Sequence, residues 1–118
     1  MIENIALILQ VHEGFSRSKA KDRALRALQS LQLGHIASLR YDACSEKDIF
    51  STQLIRACLK KDATIVIDQP FIFLDEEIDL SFLLDALDRL LISYQDVLII
   101  DLSHQKSHYK ESACLIEE

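Results

Sequence analysis

Residues 63–70 read Ala-Thr-Ile-Val-Ile-Asp-Gln-Pro, and residues 96–102 read Asp-Val-Leu-Ile-Ile-Asp-Leu. Each is a short run rich in β-branched residues, which is typical of a buried β-strand. The stretch between them has helical apolar spacing from about residue 79 to residue 94. Two continuously apolar strands separated by a helix predict a parallel sheet covered on both faces, and therefore an α/β fold.

The first half of the chain is predicted to be helical. Apolar residues spaced at helical intervals predict a helix from Ile2 to Val11 and a second one from about Arg17 to Gln32, with Gly34 as its stop. Ser45 is placed to cap a third helix that runs to about residue 60. We therefore expect one domain, with a helical subdomain at 1–60 and a small parallel sheet flanked by helices at 61–118, closed by a last strand at 113–116.

Composition narrows the functional class. The chain has 118 residues, of which 49% are hydrophobic and 27% charged, as in a folded globular domain. Its net charge of -6 argues against a nucleic-acid partner, since binding of phosphates needs clustered Lys and Arg. No apolar run is long enough to span a bilayer, so we expect no direct membrane insertion.

The cysteines suggest a reducing compartment. Cys44, Cys58 and Cys114 are widely spaced, and their odd number fits neither a disulfide framework nor a zinc site. Reduced thiols and a cytoplasmic location are expected. No metal-ligating cluster is apparent in the pattern of His, Cys, Asp and Glu residues, so we propose no metal site.

The segment from Thr64 to Pro70 resembles a Walker B strand, in which apolar residues end in Asp-Glu-Pro and the Asp holds the magnesium of a nucleotide. Here Asp68 is that acid, and Gln69 stands in place of the glutamate. Asp75 lies at the spacing of the D-loop of ABC transporter ATP-binding subunits. His104, after the next strand, resembles the switch histidine of the same family.

Two further stretches extend the resemblance over essentially the whole chain. The family's signature Leu-Ser-Gly-Gly aligns with Cys44-Ser45-Glu46-Lys47, which keeps the serine and loses both glycines. Residues 2–6 resemble the segment that opens the helical subdomain of these subunits. Pro70-Phe71, His12-Glu13 and Ser103-His104 are similar to the ATPase subunits of phospholipid-trafficking transporters of the Mce type.

This resemblance implies a C-terminal part of an ABC ATP-binding subunit without its phosphate-binding loop. The loop GxxxxGK[ST] holds phosphates with main-chain amides and a lysine, and a chain whose only glycines are Gly14 and Gly34 cannot supply it. We therefore expect no ATP hydrolysis and no cofactor for the isolated chain. ATP and Mg would bind only if the missing half were supplied, with Asp68, Ser45 and Asp75 as contacts and Gln69 and His104 in the catalytic positions.

Each of these residues also has an ordinary structural interpretation. Ser45 is at least as well explained as a helix cap, and Gln69 as a polar loop residue. Asp75-Glu76-Glu77 precede a helix, where acids favour the helix dipole. Phe71-Ile72-Phe73 either fill the core or form part of an interface, because large apolar side chains in a loop are seldom left in water.

Three functional hypotheses remain open. In the first, the chain is a degenerate or truncated subunit that acts as a binding or scaffold component, as a homodimer or heteromer, docked on a transporter's membrane subunit at the inner membrane. In the second, it is the C-terminal portion of an active ABC ATPase whose phosphate-binding loop lies on a missing N-terminal segment. In the third, it is an α/β interaction module that resembles the family by chance.

Overall fold

The computed structural model describes residues 1–70, 79–90 and 96–101. In these ranges the chain forms helices α1 (Ile2–His12), α2 (Arg17–Ser30) and α3 (Glu46–Leu59), strand β1 (Ile65–Asp68), helix α4 (Leu80–Leu90) and strand β2 (Val97–Ile100). Short 3-10 turns occupy Gly34–Ile36 and Tyr41–Ala43. The described part of the protein is therefore mixed α/β, as the sequence predicts.

The first two helices pack against each other across a short connection. Ser16 caps α2 by accepting a hydrogen bond from the N–H of Lys19 over 3.2 Å. Small side chains on α2, among them Ala20 and Ala24, are fully buried and let the helix approach α1 closely. Ile5 of α1 and Leu28 of α2, both fully buried, belong to the core that this pairing creates.

The third helix is bounded by a complete capping box. The Ser45 hydroxyl accepts from the N–H of Asp48, and the Asp48 carboxylate accepts from the N–H of Ser45, each over 3.1 Å. Past the C-terminal end of α3, the N–H of Lys61 donates to Glu13 over 3.0 Å, which joins the approach to β1 to the end of α1. The predicted start and end of this helix are confirmed.

Strands β1 and β2 pair in parallel, with Ile65 opposite Val97 and Asp68 opposite Ile100. Their inward residues join one continuous core that includes side chains from all four helices. The fully buried Ile55 of α3 and Leu83 of α4 belong to this core, together with Ile65 of β1. The two strands are thereby supported by the helical first half of the chain.

The prediction of a sheet covered on both faces is wrong for the described residues. Alternate side chains of a strand point to opposite faces, and the outward ones remain in solvent: Val66 is 56% exposed, Leu98 51% and Ile100 48%. We call this surface, formed by Val66, Leu98 and Ile100, the open face. Only the inward face packs on the core. The continuous run of apolar residues in each strand therefore does not mean that both faces of the sheet are buried.

The stop of α2 also differs from expectation. The helix ends at Ser30, and Gln32 rather than Gly34 adopts the left-handed conformation, with φ of 61°. The N–H of Leu33 then returns to the carbonyl of Leu28 over 2.8 Å, which satisfies a terminal carbonyl of the helix. Gly34 instead begins a 3-10 turn.

The helix predicted from 79 to 94 is described as Leu80–Leu90, with Asp79 accepting a hydrogen bond from the N–H of Phe82 over 2.8 Å. The predicted last strand at 113–116 lies outside the described residues. Within the described ranges, no helix combines the length and the apolar character needed to cross a bilayer.

Candidate functional site

The parallel pairing brings the carboxyl ends of β1 and β2 to the same edge. The N–H of Gln69 donates to the carbonyl of Ile100 over 2.6 Å, so the two strands remain paired to their last residues. In open α/β sheets, ligands bind in the crevice beyond these carboxyl ends. Asp68 and Gln69 therefore occupy the edge at which a ligand of such a sheet is expected.

Asp68 is the last residue of β1, and its side chain is exposed. In the described residues, its carboxylate makes no hydrogen bond and no ion pair. A solvated carboxylate at a strand end can accept hydrogen bonds or attract a cation from a ligand. Its position agrees with the predicted magnesium contact and equally with an ordinary strand-end acid.

Gln69 turns the chain away from the sheet. Its φ of 47° lies in the left-handed region, which side chains other than glycine seldom adopt, and the following Pro70 is buried. The side chain is a neutral amide, so it cannot remove a proton from water as a carboxylate can. Gln69 fits a turn residue better than a catalytic base.

Ser45 acts as a helix cap in this structure. Its hydroxyl oxygen accepts the N–H of Asp48, as described above, and the side chain is otherwise exposed to solvent. The hydroxyl keeps a donor proton that could contact another group. The neighbouring Glu46 and the residues Asp68 and Gln69 line the same groove, so the signature-like and Walker B-like segments lie close together.

This groove lies between α3 and β1 and has a volume of about 410 Å³. We call it the α3–β1 groove. Consecutive residues of β1 line it, so it follows the strand along its length, and β2 contributes no described residue to it. The lining residues are Glu46, Ile49, Phe50, Gln53, Leu54 and Ala57 from α3, and Ile65, Val66, Ile67, Asp68, Gln69 and Pro70 from β1 and the turn after it.

The charged residues that line the groove in the described ranges are both acidic. Glu46 and Asp68 are its charged lining residues in the described ranges, and both are exposed. Lys47, next in sequence to Glu46, is directed elsewhere, because its ammonium lies 4.7 Å from the centre of the Phe82 ring. The carboxyl end of the groove is therefore acidic, and its floor is apolar.

Two of the predicted site residues lie outside the described part of the chain. Asp75 falls in the range 71–78, and His104 in the range 102–118. Their predicted proximity to Asp68 therefore stays a prediction. The apolar segment from Phe71 to Phe73, the acidic run 75–77 and Cys114 lie outside the described residues as well.

Sequence reasoning did not single out the groove side of α3. Ile49, Phe50, Leu54 and Ala57 recur at the spacing of one helical face, a pattern that could have indicated a second apolar surface on this helix. No comparable sequence pattern indicated that the outer edge of β1 borders a groove. Only the strand order shows which edge of β1 pairs with β2 and which one borders the groove.

Comparison of the chain with models of protein families, with curated proteins and with solved structures finds no match.

Proposed function

We propose that this chain is a non-hydrolytic binding or scaffold component of a transporter, a degenerate relative of the C-terminal part of an ABC ATP-binding subunit. The observation that supports it is the parallel unit of β1, α4 and β2. This unit holds Asp68 at the carboxyl edge, as in the strand that it resembles, beside a groove suited to a ligand other than a phosphate group.

The positions of the glycines support the absence of hydrolysis. Phosphate binding at a sheet needs a glycine-rich turn between a strand and a helix. Gly14 lies in the connection between α1 and α2, and Gly34 begins the 3-10 turn after α2. Neither glycine follows a strand, so the described residues supply no glycine-rich cradle for phosphates beside Asp68.

A partner is part of this proposal. The open face carries three apolar side chains, each about half exposed, on a sheet of a type that is normally covered on both faces. We propose a homodimer or heteromer that covers this face, with a transporter's membrane subunit as one such partner. The protein would then act in the cytoplasm, peripheral to the inner membrane through that subunit.

One observation favours a second candidate function. The Asp68 carboxylate is exposed at the carboxyl edge, where a magnesium-bound nucleotide would need it. In this alternative the chain is the C-terminal portion of an active ABC ATPase and receives its phosphate-binding loop from a missing N-terminal segment. Gln69 and the glycine-free signature at Ser45 count against it. An in-frame GxxxxGK[ST] in the DNA upstream of Met1 would support it.

Titration calorimetry with MgATP tests the proposal directly. We expect no binding tighter than the millimolar range, because no main-chain nest holds the phosphates. The matched variant Asp68→Asn should give the same result, and a hydrolysing ABC subunit serves as the positive control. Micromolar affinity that Asp68→Asn weakens would overturn the proposal and favour the second candidate.

A further inference from the structure

We propose that the outer edge of β1 binds an extended polypeptide segment as an added β-strand, and that this segment is apolar with a Lys or Arg beside Glu46 and Asp68. The inference deepens the binding role proposed above and names the chemical class of its partner. It does not depend on whether the chain is related to a nucleotide-binding subunit.

The first argument is the hydrogen-bonding pattern of β1. In a parallel pair, alternate residues direct both main-chain groups toward the partner strand. Ile65 and Gln69 donate to Asp96 and Ile100 of the β2 side. Val66 and Asp68, which alternate with them, therefore direct their N–H and C=O groups to the opposite edge.

Those groups have no partner among the described residues. No main-chain hydrogen bond joins Val66 or Asp68 to another element there, and the described sheet has only the two strands β1 and β2. An unpaired edge is a template for another strand. The addition of a strand from a partner is a recurrent mode of peptide recognition.

The second argument is the α3–β1 groove beside that edge. Side chains of an added strand alternate between the two faces of the sheet. Those on the core side would enter the groove and contact Phe50 and Leu54. Its volume of about 410 Å³ is of the size that holds small ligands, so it accommodates a few side chains of such a strand.

The third argument is charge. Glu46 and Asp68 make the carboxyl end of the groove negative, and the chain as a whole carries a net charge of -6. A segment with a cationic side chain is complementary to both groups. Self-pairing of the same edge is the alternative occupant, and the Val66 variants below distinguish it.

The test uses the full chain and labelled peptides of about eight residues, a usual strand length. The peptide alternates Val and Thr and has Lys at each end, so that either strand direction brings one Lys to Glu46 and Asp68. We expect saturable micromolar binding by fluorescence anisotropy. A peptide with Glu in place of both Lys residues should bind roughly fivefold more weakly, and the difference should shrink as salt is raised.

Two N-methylated peptides test strand addition itself. One carries methyl groups on the main-chain nitrogens of odd-numbered residues, and the other on those of even-numbered residues. Because alternate N–H groups face the same edge, only one of the two should lose binding, by roughly tenfold. Equal binding by both, or no binding of the parent peptide, would overturn the proposal.

Val66→Pro tests the same edge from the protein side. Proline removes the outward N–H of residue 66 without touching the hydrogen bonds to β2, and prolines are tolerated on such edges. The variant should lose peptide binding, while the control Val66→Thr should retain it. If Val66→Pro does not fold, the binding of the two N-methylated peptides to the parent chain tests strand addition by itself. Val66 also belongs to the open face, so self-association is compared in both variants. Loss of self-association in Val66→Pro but not in Val66→Thr, with peptide binding unchanged, would assign the edge to a second copy and refute the proposal.

Discussion

Gln69 donates its main-chain N–H to the carbonyl oxygen of Ile100 over 2.6 Å while its own φ is 47°. The last hydrogen bond of the sheet is thus made by a residue in the left-handed conformation, at the position where the chain leaves β1. The turn and the end of the ladder are consequently coupled. A change at residue 69 acts on the backbone first and on any ligand second.

Gln69→Gly and Gln69→Val should therefore have different effects. Glycine adopts positive φ freely, so Gln69→Gly should leave the free energy of unfolding within about 0.5 kcal/mol of the parent or raise it slightly. The β-branched Gln69→Val should lower it by roughly 1–2 kcal/mol. Urea unfolding measures both. A Val variant as stable as the parent would contradict the left-handed turn.

Gln69→Glu should not create ATPase activity. It restores a carboxylate at the position of the missing one, but the phosphates would still lack their main-chain cradle, and positioning supplies most of the catalysis of phosphoryl transfer. A phosphate-release assay with MgATP checks this, with a hydrolysing ABC subunit as positive control. Turnover by the variant would show that another part of the chain binds the nucleotide.

Ser45→Ala should destabilise the protein by about 1 kcal/mol, because the N–H of Asp48 loses its capping oxygen. Asp48→Ala removes the reciprocal bond, and the double variant should be less destabilised than the sum of the two single variants, since both residues belong to one capping box. Ser45→Thr, which retains the hydroxyl, is the matched control. If Ser45→Ala were as stable as the parent, the capping role would be refuted.

The open face should promote association. We expect a homodimer or heteromer in sedimentation equilibrium, and binding of a hydrophobic dye by any chain left unpartnered. The double variant Leu98→Thr with Ile100→Thr should weaken both, and it should change stability little because these side chains are about half exposed. The matched control is Ser81→Thr, which introduces the same residue type at an exposed position of α4 outside the open face.

A parent chain that is monomeric at concentrations on the order of tens of micromolar and binds no dye would refute this expectation. The chain would then cover its own apolar surface. This outcome is independent of strand addition at the outer edge of β1, which the N-methylated peptides test separately.

Cys58 should make stability depend on alkaline pH. Burial raises the pKa of its thiol from 9.0 to about 11, because a thiolate is poorly solvated in the core. The unfolded chain releases this proton at lower pH than the folded chain, so stability falls as the pH rises from about 9 to about 11. A shift of this size sets an upper limit of about 3 kcal/mol on the loss of stability.

Urea unfolding in reducing buffer measures this effect, with Cys58→Ala as the control that lacks the thiol. The free energy of unfolding of the parent should decline relative to that of Cys58→Ala across this pH range. Parallel pH dependences would mean that the thiol ionises equally well in both states, and hence that it is not buried.

Local sequence signals determined much of the secondary structure. The Ser45 and Asp48 spacing predicted the start of α3, and apolar residues at helical intervals predicted α1 and the body of α2, because caps and amphipathic faces depend on neighbours within one or two turns. The runs at 64–67 and 97–102 predicted the strands for the same reason. The predicted roles of Asp75 and His104 lie outside the described residues.

The tertiary structure decided the features that depend on distant parts of the chain. The apolar runs predicted that Val66, Leu98 and Ile100 are buried, yet these residues form the open face. Burial depends on what packs against a strand and not on its composition. Gln32 took the left-handed position expected of Gly34, since the return of Leu33 to Leu28 sets the helix end. The α3–β1 groove exists only because β1 pairs with β2 along one edge and leaves its other edge beside α3, a choice that no single segment encodes.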